Sequence, residues 1–513
     1  MAHKKLRVVS VVAATAVSLA CGTNYAYSAW APQFAERMKL SATESNVIGT
    51  SANIGMYASG IPMGFITDRR SPRLAASVGM LALGLGYFPI HRAYENGVGS
   101  MSVGLISFFS FLTGVGSCAS FQAALKIATL NWPTHRGTAT AFPLAAFGLS
   151  AFFYTLIGGF AFPGDTGAFL LLLSLATSLL VLVSIPFLHV VDQQRGTSYA
   201  ALPTIDRPRR DSNLLRRTKS SSSKYSSTAA PPREPTDNDE QTRASDESSS
   251  LLSIPGDILE SPEEPANQST QRSQWIDVTG LELLTKIEFW QLWILLGLLT
   301  GVGLMTINNI GHDVQALWNH YDDSASKEFV AKRQLIHVSV ISLGSFFGRL
   351  LSGIGSDLIV KRLGMSRFWC AGASAAIFMV AQLCAMRLEN PNLLWTVSGL
   401  TGLAYGVLFG VFPALVVDAF GPAGFAVNWG FMTLAPVVSG NIYNLFYGAV
   451  FDAHSERQPG GERICLEGLA CYRTAYYVTF ASSILGVVAC VWGIRHQHKV
   501  RRRREEEETH RDA

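Results

Sequence analysis

Two basic residues associated with long apolar runs of this chain are the first candidates for chemistry. Arg349 lies inside the run 335–357, and Lys126 follows directly on the run 102–125. A guanidinium presents a planar pair of donors that matches a carboxylate or a phosphate, so Arg349 predicts contact with an anionic ligand. The alternative for Arg349 is packing between helices. For Lys126 we favour a structural role, with its ammonium reaching the polar end of the run.

Neutral polar side chains within other apolar runs form a second set of candidates. Those that we assign to substrate contact are Tyr25, Asn53, Asn308, Asn309 and Tyr405. Amides and hydroxyls in such runs must face a cavity or another helix, and hydrogen bonding between helices is the competing explanation for each. The adjacent amides Asn308 and Asn309 are the strongest pair, because two neighbours on a helix cannot both face the same partner.

Several kinds of chemistry are absent from the sequence. It contains no GxxxxGK[ST] nucleotide-binding loop, no cluster of metal-ligand residues and no nucleophile with a base at a recognisable spacing. We therefore expect a protein that is not an enzyme, that needs no cofactor or metal, and that binds no nucleic acid.

The elements that carry these residues are membrane-spanning helices. Hydrophobic residues make up 48% of the chain and charged residues only 15%, which is too apolar for a soluble protein of this length. About 20 mainly apolar residues cross a bilayer. Twelve runs fit, six in each half, and they predict an all-α membrane protein: 8–30, 45–65, 74–90, 102–125, 137–160, 166–190, 289–310, 335–357, 368–386, 393–417, 424–450 and 474–494.

The distribution of lysine and arginine predicts the orientation. The segments on the side of the N-terminus, which include the tail cluster 501–504, carry more lysine and arginine than the loops on the opposite side. Because positive loops stay in the cytoplasm, we expect both termini to be cytoplasmic.

Two segments related in pattern indicate that the halves are repeats. Each segment has an aspartate at the end of an apolar run and a glycine four residues before that aspartate. The segments are GFITDRRSPR, residues 64–73, and GRLLSGIGSD, residues 348–357. Such a carboxylate can accept charge-assisted hydrogen bonds from arginines or from a helix N-terminus. We expect these segments to act as a cytoplasmic latch between the halves, the alternative being a purely structural cap. The predicted latch residues are Gly64, Asp68, Arg69, Arg70, Arg73, Gly353 and Asp357.

The composition changes abruptly between the halves. Residues 192–286 are rich in serine, proline and charge and predict a disordered cytoplasmic linker. The expected divisions are a six-helix half at 1–191, this linker, a second half at 287–495 and a charged tail at 496–513. Arginine-flanked serines suggest kinases as partners of the linker. Glu247 with Leu251 and Leu252 resembles a dileucine sorting signal, which suggests sorting adaptors.

The seven cysteines are too few and too scattered for a disulfide framework. Cys465 and Cys471 differ from the rest because they lie in a polar loop on the predicted non-cytoplasmic side. That side is oxidising, so a local disulfide is expected there.

The doubled six-helix pattern, the long central loop and the GFITDRRSPR segment with its echo resemble the major facilitator superfamily of secondary transporters. Within it, YAYSAWAPQF, GLMTINNIGH and CLEGLACY resemble the nodulin-like branch, and among fungal members the monocarboxylate-transporter homologues.

The resemblance implies alternating access, with binding near the bilayer midplane between the halves. Arg349 with Gly353 matches the arginine and glycine of the eighth helix in monocarboxylate transporters, where the arginine is thought to hold the substrate carboxylate. Ser345 replaces their aspartate, and the first helix lacks their lysine, so lactate-type proton coupling is not expected.

We therefore expect a monomeric transporter, in contact with membrane lipids, that moves a small organic anion. Some relatives reside on the vacuolar membrane, which makes that membrane the expected location and the plasma membrane the alternative. A non-transporting nutrient sensor that signals through the linker is the alternative function.

Overall fold

The structure is a computed structural model that describes residues 2–131, 136–190, 278, 280–322, 324–421, 425–457 and 463–512. Most of the predicted linker, together with Glu247, Leu251 and Leu252, lies outside the described residues. The described part is almost entirely helical, as expected.

The described residues of the first half form eight α-helices. They are α1 (Ala2–Cys21), α2 (Ala31–Met38), α3 (Ala42–Ala58), α4 (Gly60–Arg69), α5 (Pro72–Asn96), α6 (Val103–Asn131), α7 (Arg136–Ala161) and α8 (Thr166–Ser184). A 3-10 helix, Gly22–Ala29, continues α1, and a short one, Ile185–Phe187, follows α8.

In the second half, the part that the structure describes forms seven α-helices. They are α9 (Ile287–Tyr321), α10 (Lys327–Leu363), α11 (Phe368–Ala385), α12 (Trp395–Phe420), α13 (Phe425–Met432), α14 (Leu434–Ala453) and α15 (Arg473–Asp512). The 3-10 helices are Gly280–Thr285, Pro391–Leu393 and Gly468–Cys471. Two short antiparallel strands, β1 (Glu456–Arg457) and β2 (Arg463–Ile464), pair Glu456 with Ile464.

Ten of the described helices are individually long and apolar enough to cross a membrane. The predicted second and eleventh runs are missing from that set, and each is broken into two helices, α3–α4 at Ser59 and α13–α14 at Thr433. A proline follows each break by three residues, Pro62 and Pro436. Proline lacks the N–H that would continue the helical ladder, which accounts for both interruptions.

Several helices are longer than the apolar runs predicted. The seventh run was expected to end at residue 310, whereas α9 continues to Tyr321, and α15 extends through most of the predicted tail. The predicted linker boundary at 286 also differs from the structure. The Val278 N–H donates to the Phe420 carbonyl oxygen at 3.2 Å, and Leu283 is buried.

Close packing between α10 and α12 depends on small residues. A Cβ atom on Gly348 would lie 2.4 Å from the Leu403 carbonyl oxygen, and one on Gly406 would lie 2.3 Å from the Ser345 carbonyl oxygen. The backbones can approach this closely only because glycine has no side chain, as in other membrane helix pairs.

The two ends of the bundle differ in the segments that they contain. The linker end contains the C-termini of α4, α6 and α8 and the N-terminus of α9. The disulfide end contains the C-termini of α9 and α14 and the loop between α14 and α15, where Cys465 and Cys471 form a disulfide with a Cα–Cα distance of 6.1 Å. The His320 Nδ1–H donates to the Leu466 carbonyl oxygen at 2.8 Å, which fastens this loop to α9.

Candidate functional site

A cavity of about 240 Å³ lies between the two halves and extends toward the linker end. Its polar lining includes Tyr25, Tyr57, Gln122, Lys126 and Arg349. Aromatic and aliphatic side chains make up most of the remaining wall, among them Phe121, Phe147, Phe409, Pro413 and Trp429. A mainly apolar cavity with few polar groups is typical of a small-molecule site.

Three tyrosine hydroxyls meet beside the cavity and connect the halves. Tyr25 and Tyr57 belong to the first half and Tyr405 to the second. The Tyr57 and Tyr405 Oη atoms lie 2.8 Å apart, and Tyr25 Oη lies 3.3 Å from each of them. Tyr405 itself does not line the cavity, but it orients two hydroxyls at the end of the cavity that is remote from the linker end.

Arg349 crosses from the second half to the first. It is 8% exposed, its Nη1–H donates to the Leu144 carbonyl oxygen on α7 at 3.1 Å, and its guanidinium lies 5.4 Å from the centre of the Phe147 ring. Its Nε–H has no hydrogen-bond partner within the part of the chain that the structure describes. A Cβ atom on Gly148 would lie 2.9 Å from Nη1, so a glycine at that position makes room for the guanidinium.

The two helix breaks face each other at this site. Thr433 Oγ1 is within hydrogen-bond distance of the Tyr57 carbonyl oxygen across the halves, at 3.3 Å, and of the Gly430 carbonyl oxygen, at 2.9 Å. Both breaks therefore border the cavity, and paired interrupted helices are a recurring feature of transporter binding sites.

Two further polar side chains of α6 hold the broken helix α4. The Gln122 Nε2–H donates to the Gly60 carbonyl oxygen at 2.7 Å, and the Lys126 Nζ–H donates to the Thr67 carbonyl oxygen at 2.8 Å. The Lys126 contact fits its expected structural role, although the side chain also lines the cavity.

The disulfide end is closed by contacts between the halves. Asp452, at the end of α14, accepts hydrogen bonds from the Ala42 and Thr43 N–H groups, which begin α3, at 2.7 and 2.9 Å. Lys327 pairs with Glu36, and the Gln33 amide donates to Gln334.

Two glycines permit the halves to touch at this end. A Cβ atom on Gly311 would lie 2.0 Å from the Ser28 carbonyl oxygen, and one on Gly448 would lie 2.6 Å from Thr43 Cα. The cavity and the closure therefore occupy opposite ends of the bundle.

The predicted asparagines lie outside the lining of this cavity. The Asn309 amide donates to Asn444 Oδ1 at 2.9 Å and accepts from Asn46 Nδ2 at 2.8 Å, so it joins the halves at the closed end. Asn308 and Asn53 are buried, and the Nδ2 atom of each has no hydrogen-bond partner among the residues described.

The predicted latch residues are only partly described. The side chains of Asp68, Arg69 and Asp357 lie outside the described part, so the latch stays a prediction. Gly64 lines the cavity, and Gly353 is buried within α10. Arg70 follows the end of α4.

Arg73 makes its contacts within the first half. Its Nε–H donates to the Leu188 carbonyl oxygen at 2.8 Å, beyond the end of α8. This bond connects α5 to the segment after α8 at the linker end.

Sequence reasoning missed three features. Asp313 is a buried carboxylate on α9 that lies beyond the predicted end of its apolar run, Asp452 closes the disulfide end, and Thr433 marks a helix break. The charge in HDVQALW and the proline three residues after Ser59 and Thr433 were the available signals.

The comparisons with known proteins agree with this geometry. The family model of the Major Facilitator Superfamily matches residues 12–440. An uncharacterized membrane protein of Saccharomyces cerevisiae, YMR155W, is 29% identical, over 92% of this chain and 91% of its own. A probable transporter, mch1, of Neurospora crassa is 25% identical, over 95% and 88%.

A solved structure of a bacterial homologue of the human lysosomal transporter Spinster, in an inward-facing and unoccupied conformation, has a TM-score of 0.61 at 15% identity. It covers 96% of this chain and 97% of its own. This likeness concerns the fold. The expected resemblance to the nodulin-like branch and its fungal members is confirmed.

Proposed function

We propose that this chain, which belongs to the Major Facilitator Superfamily, is a secondary transporter that moves a small organic anion across a membrane by alternating access. The observation that carries the anion proposal is Arg349, a buried guanidinium at the wall of the cavity between the halves.

The charge of Arg349 favours an anionic substrate. Among the described residues, no Asp or Glu forms an ion pair with it, and its Nε–H has no partner. A buried charge without a counter-ion is costly, and a bound carboxylate would offset that cost while accepting two parallel N–H bonds from the guanidinium. The apolar wall formed by Phe121, Phe147 and Phe409 suits the hydrocarbon part of a small organic acid.

Contacts of Arg349 also suggest how binding is linked to movement. The residue belongs to α10 of the second half but donates to Leu144 of the first. A carboxylate that competes for this N–H group would change a bond between the halves, so occupation of the site and the relative position of the halves would be coupled.

We infer the compartments from charge and composition. With both termini and the linker cytoplasmic, the cavity faces the cytoplasm and the closed disulfide end faces the opposite compartment, for which we propose the vacuolar lumen. A monomer suffices, because the site lies within one chain. Kinases and sorting adaptors remain proposed partners of the linker.

The test is a thermal-shift screen of purified protein against a panel of mono- and dicarboxylates, phosphate, and neutral and cationic solutes. We expect a carboxylate at saturating concentration to stabilise the wild type, by about 2.7 kcal/mol at a hundred times its dissociation constant. Arg349→Ala should lose this gain, Arg349→Lys should retain part of it, and Arg387→Ala, a change at an exposed loop residue, should retain all of it.

Uptake of the stabilising carboxylate into proteoliposomes then separates transport from sensing. Flux in the wild type that is lost in Arg349→Ala supports the proposal. Stabilisation by a neutral or cationic solute that is unchanged in Arg349→Ala would refute the anion assignment, and binding without flux would favour the sensor.

A further inference from the structure

Asp313 is a buried carboxylate with an unusual set of partners. It lies on α9, two turns before the end of that helix, and is 1% exposed. Its Oδ1 accepts from the Tyr447 hydroxyl on α14 and its Oδ2 from the Tyr476 hydroxyl on α15, both at 2.6 Å. These two bonds fasten three helices of the second half at one point.

Tyrosine side chains surround the Asp313 carboxylate. The titratable groups that face it are Tyr447 from α14, Tyr476 from α15 and Tyr472 from the end of the disulfide loop. Within the described residues, no Lys, Arg or His forms an ion pair with Asp313. An ionisable residue within a membrane helix is costly and by default suggests a function, proton transfer being one of the commonest.

Asp313 lies directly behind the contact between the halves. On the same helix, Asn309 donates to Asn444 and accepts from Asn46, and Gly311 packs against the Ser28 carbonyl. On α14, Tyr447 is followed by Gly448, which packs against Thr43. The carboxylate thus joins the two helix surfaces that the second half presents to the first at the closed end.

We propose that Asp313 is a reversible proton-binding site and that protonation favours opening of the disulfide end. This inference rests on the proposed function, because it assigns a driving ion to that transport cycle. The step adds one proton, taken from water on the disulfide side, to a carboxylate oxygen and breaks no covalent bond.

The donors and acceptors at Asp313 explain how its protonation is coupled to opening of the disulfide end. A carboxylate accepts charge-assisted bonds from both tyrosines, whereas a carboxylic acid has an O–H donor of its own, so one tyrosine must reverse its bond and accept from that O–H. The reversed bond is neutral and therefore weaker than a bond to the carboxylate, which loosens α9 from α14 or from α15. Since α9 and α14 carry the contacts that close this end, loosening them favours the open state.

Tyr472 lies between Asp313 and the disulfide loop. It directly follows Cys471, is fully buried, and among the described residues its hydroxyl has no hydrogen-bond partner. Burial, and then the nearby Asp313 carboxylate, raise the pKa of Tyr472 well above its usual value, so it stays neutral. A neutral hydroxyl that can rotate is a suitable relay between this end and the carboxylate.

The experiment measures closure of the disulfide end as a function of pH. Gln33→Cys and Gln334→Cys replace a contacting pair across the closed end, and a short bifunctional thiol reagent cross-links them when that end is closed. The protein is reconstituted in lipid vesicles without any transported solute, and the cross-linking yield is recorded from about pH 8 to about pH 5.

We expect the wild-type yield to fall several-fold on acidification. Asp313→Asn, which mimics the protonated acid, should give a low yield at every pH. Asp313→Glu should restore the pH response with a shifted midpoint. The matched control Asp322→Asn removes an exposed carboxylate from the end of the same helix and should respond like wild type.

A wild-type yield that does not change with pH, or a pH response that persists in Asp313→Asn, would overturn the proposal. If Asp313→Asn does not fold, infrared difference spectra of wild type and Asp313→Glu decide the matter, since the acid-induced carboxyl band must differ between them. The cross-linking is measured without any transported solute, whereas the anion site is tested by stabilisation with a carboxylate, so failure of the anion site and failure of the proton site are told apart.

Discussion

Asp452→Asn tests the closure of the disulfide end. Asp452 belongs to the second half, its side chain is 15% exposed, and its two oxygens accept from the first two N–H groups of α3 in the first half. The next N–H group of α3, that of Glu44, is already bonded to the Ser41 hydroxyl. Ala42 and Thr43 therefore depend on Asp452 for their partners in the closed state.

The expected effect follows from the loss of charge and of one acceptor. A hydrogen bond to a charged group contributes about 1.5–3 kcal/mol, and an anion at a helix N-terminus about 0.3–1 kcal/mol. Asparagine keeps one acceptor oxygen and no charge. The closed state should thus lose about 2–4 kcal/mol relative to the open state, which changes their ratio by about 30-fold to 1,000-fold. Arg463, 3.6 Å from Asp452, adds little because both side chains are partly exposed.

Distances between spin labels report this ratio. Lys39→Cys and Ser324→Cys place labels on exposed positions of the two halves at the disulfide end. Asp452→Asn should add a population with a longer label separation. The control Glu456→Gln removes an exposed carboxylate four residues away and should leave the distribution as in the wild type. An unchanged distribution in Asp452→Asn, or an equal change in the control, would refute this account of the closure.

Two further substitutions test neighbouring contacts. Gly311→Ala should disfavour closure in the same distance measurement, because its Cβ would lie 2.0 Å from the Ser28 carbonyl oxygen. The control Gly355→Ala, whose Cβ would meet open space, should leave closure unchanged. Equal behaviour of the two variants would contradict the close contact. Cys465→Ser should lower the free energy of unfolding by about 2 kcal/mol, as expected for a short disulfide-closed loop. It should also abolish the effect of reductant on the melting temperature. Cys384→Ser, at a free cysteine, should keep that reductant effect, and a wild type insensitive to reductant would count against a structural role of the disulfide.

The sequence predicted which residues are buried better than it predicted which residues they contact. Hydropathy located the membrane helices, because desolvated backbone must be helical in a bilayer. Arg349 and Tyr25 were singled out by residue type, and both line the cavity. Asn309 was singled out on the same grounds, yet its amide joins Asn46 to Asn444. Residue type predicts that a buried amide needs partners, but only the packing decides which ones.

The pattern of apolar residues did not predict the two helix breaks or the buried Asp313, for a physical reason. The runs 45–65 and 424–450 are continuous in hydropathy, and the interruption comes from missing N–H groups at Pro62 and Pro436. Asp313 follows a polar stretch that reads as a helix end. It is buried because Tyr447 and Tyr476 arrive from helices more than 130 residues away in sequence.

Two broken helices, α3–α4 and α13–α14, connect the cavity with the contacts that close the disulfide end. The broken helix α13–α14 touches the first half at its break, where Thr433 reaches the Tyr57 carbonyl, and at its far end, where Asp452 caps α3. The broken helix α3–α4 receives both contacts. If the two helices moved as rigid rods, release at Asp452 would also shift Thr433 and the cavity wall. Because each is interrupted beside the cavity, the segments on the disulfide side can separate while those on the linker side come together, which is the motion that alternating access requires.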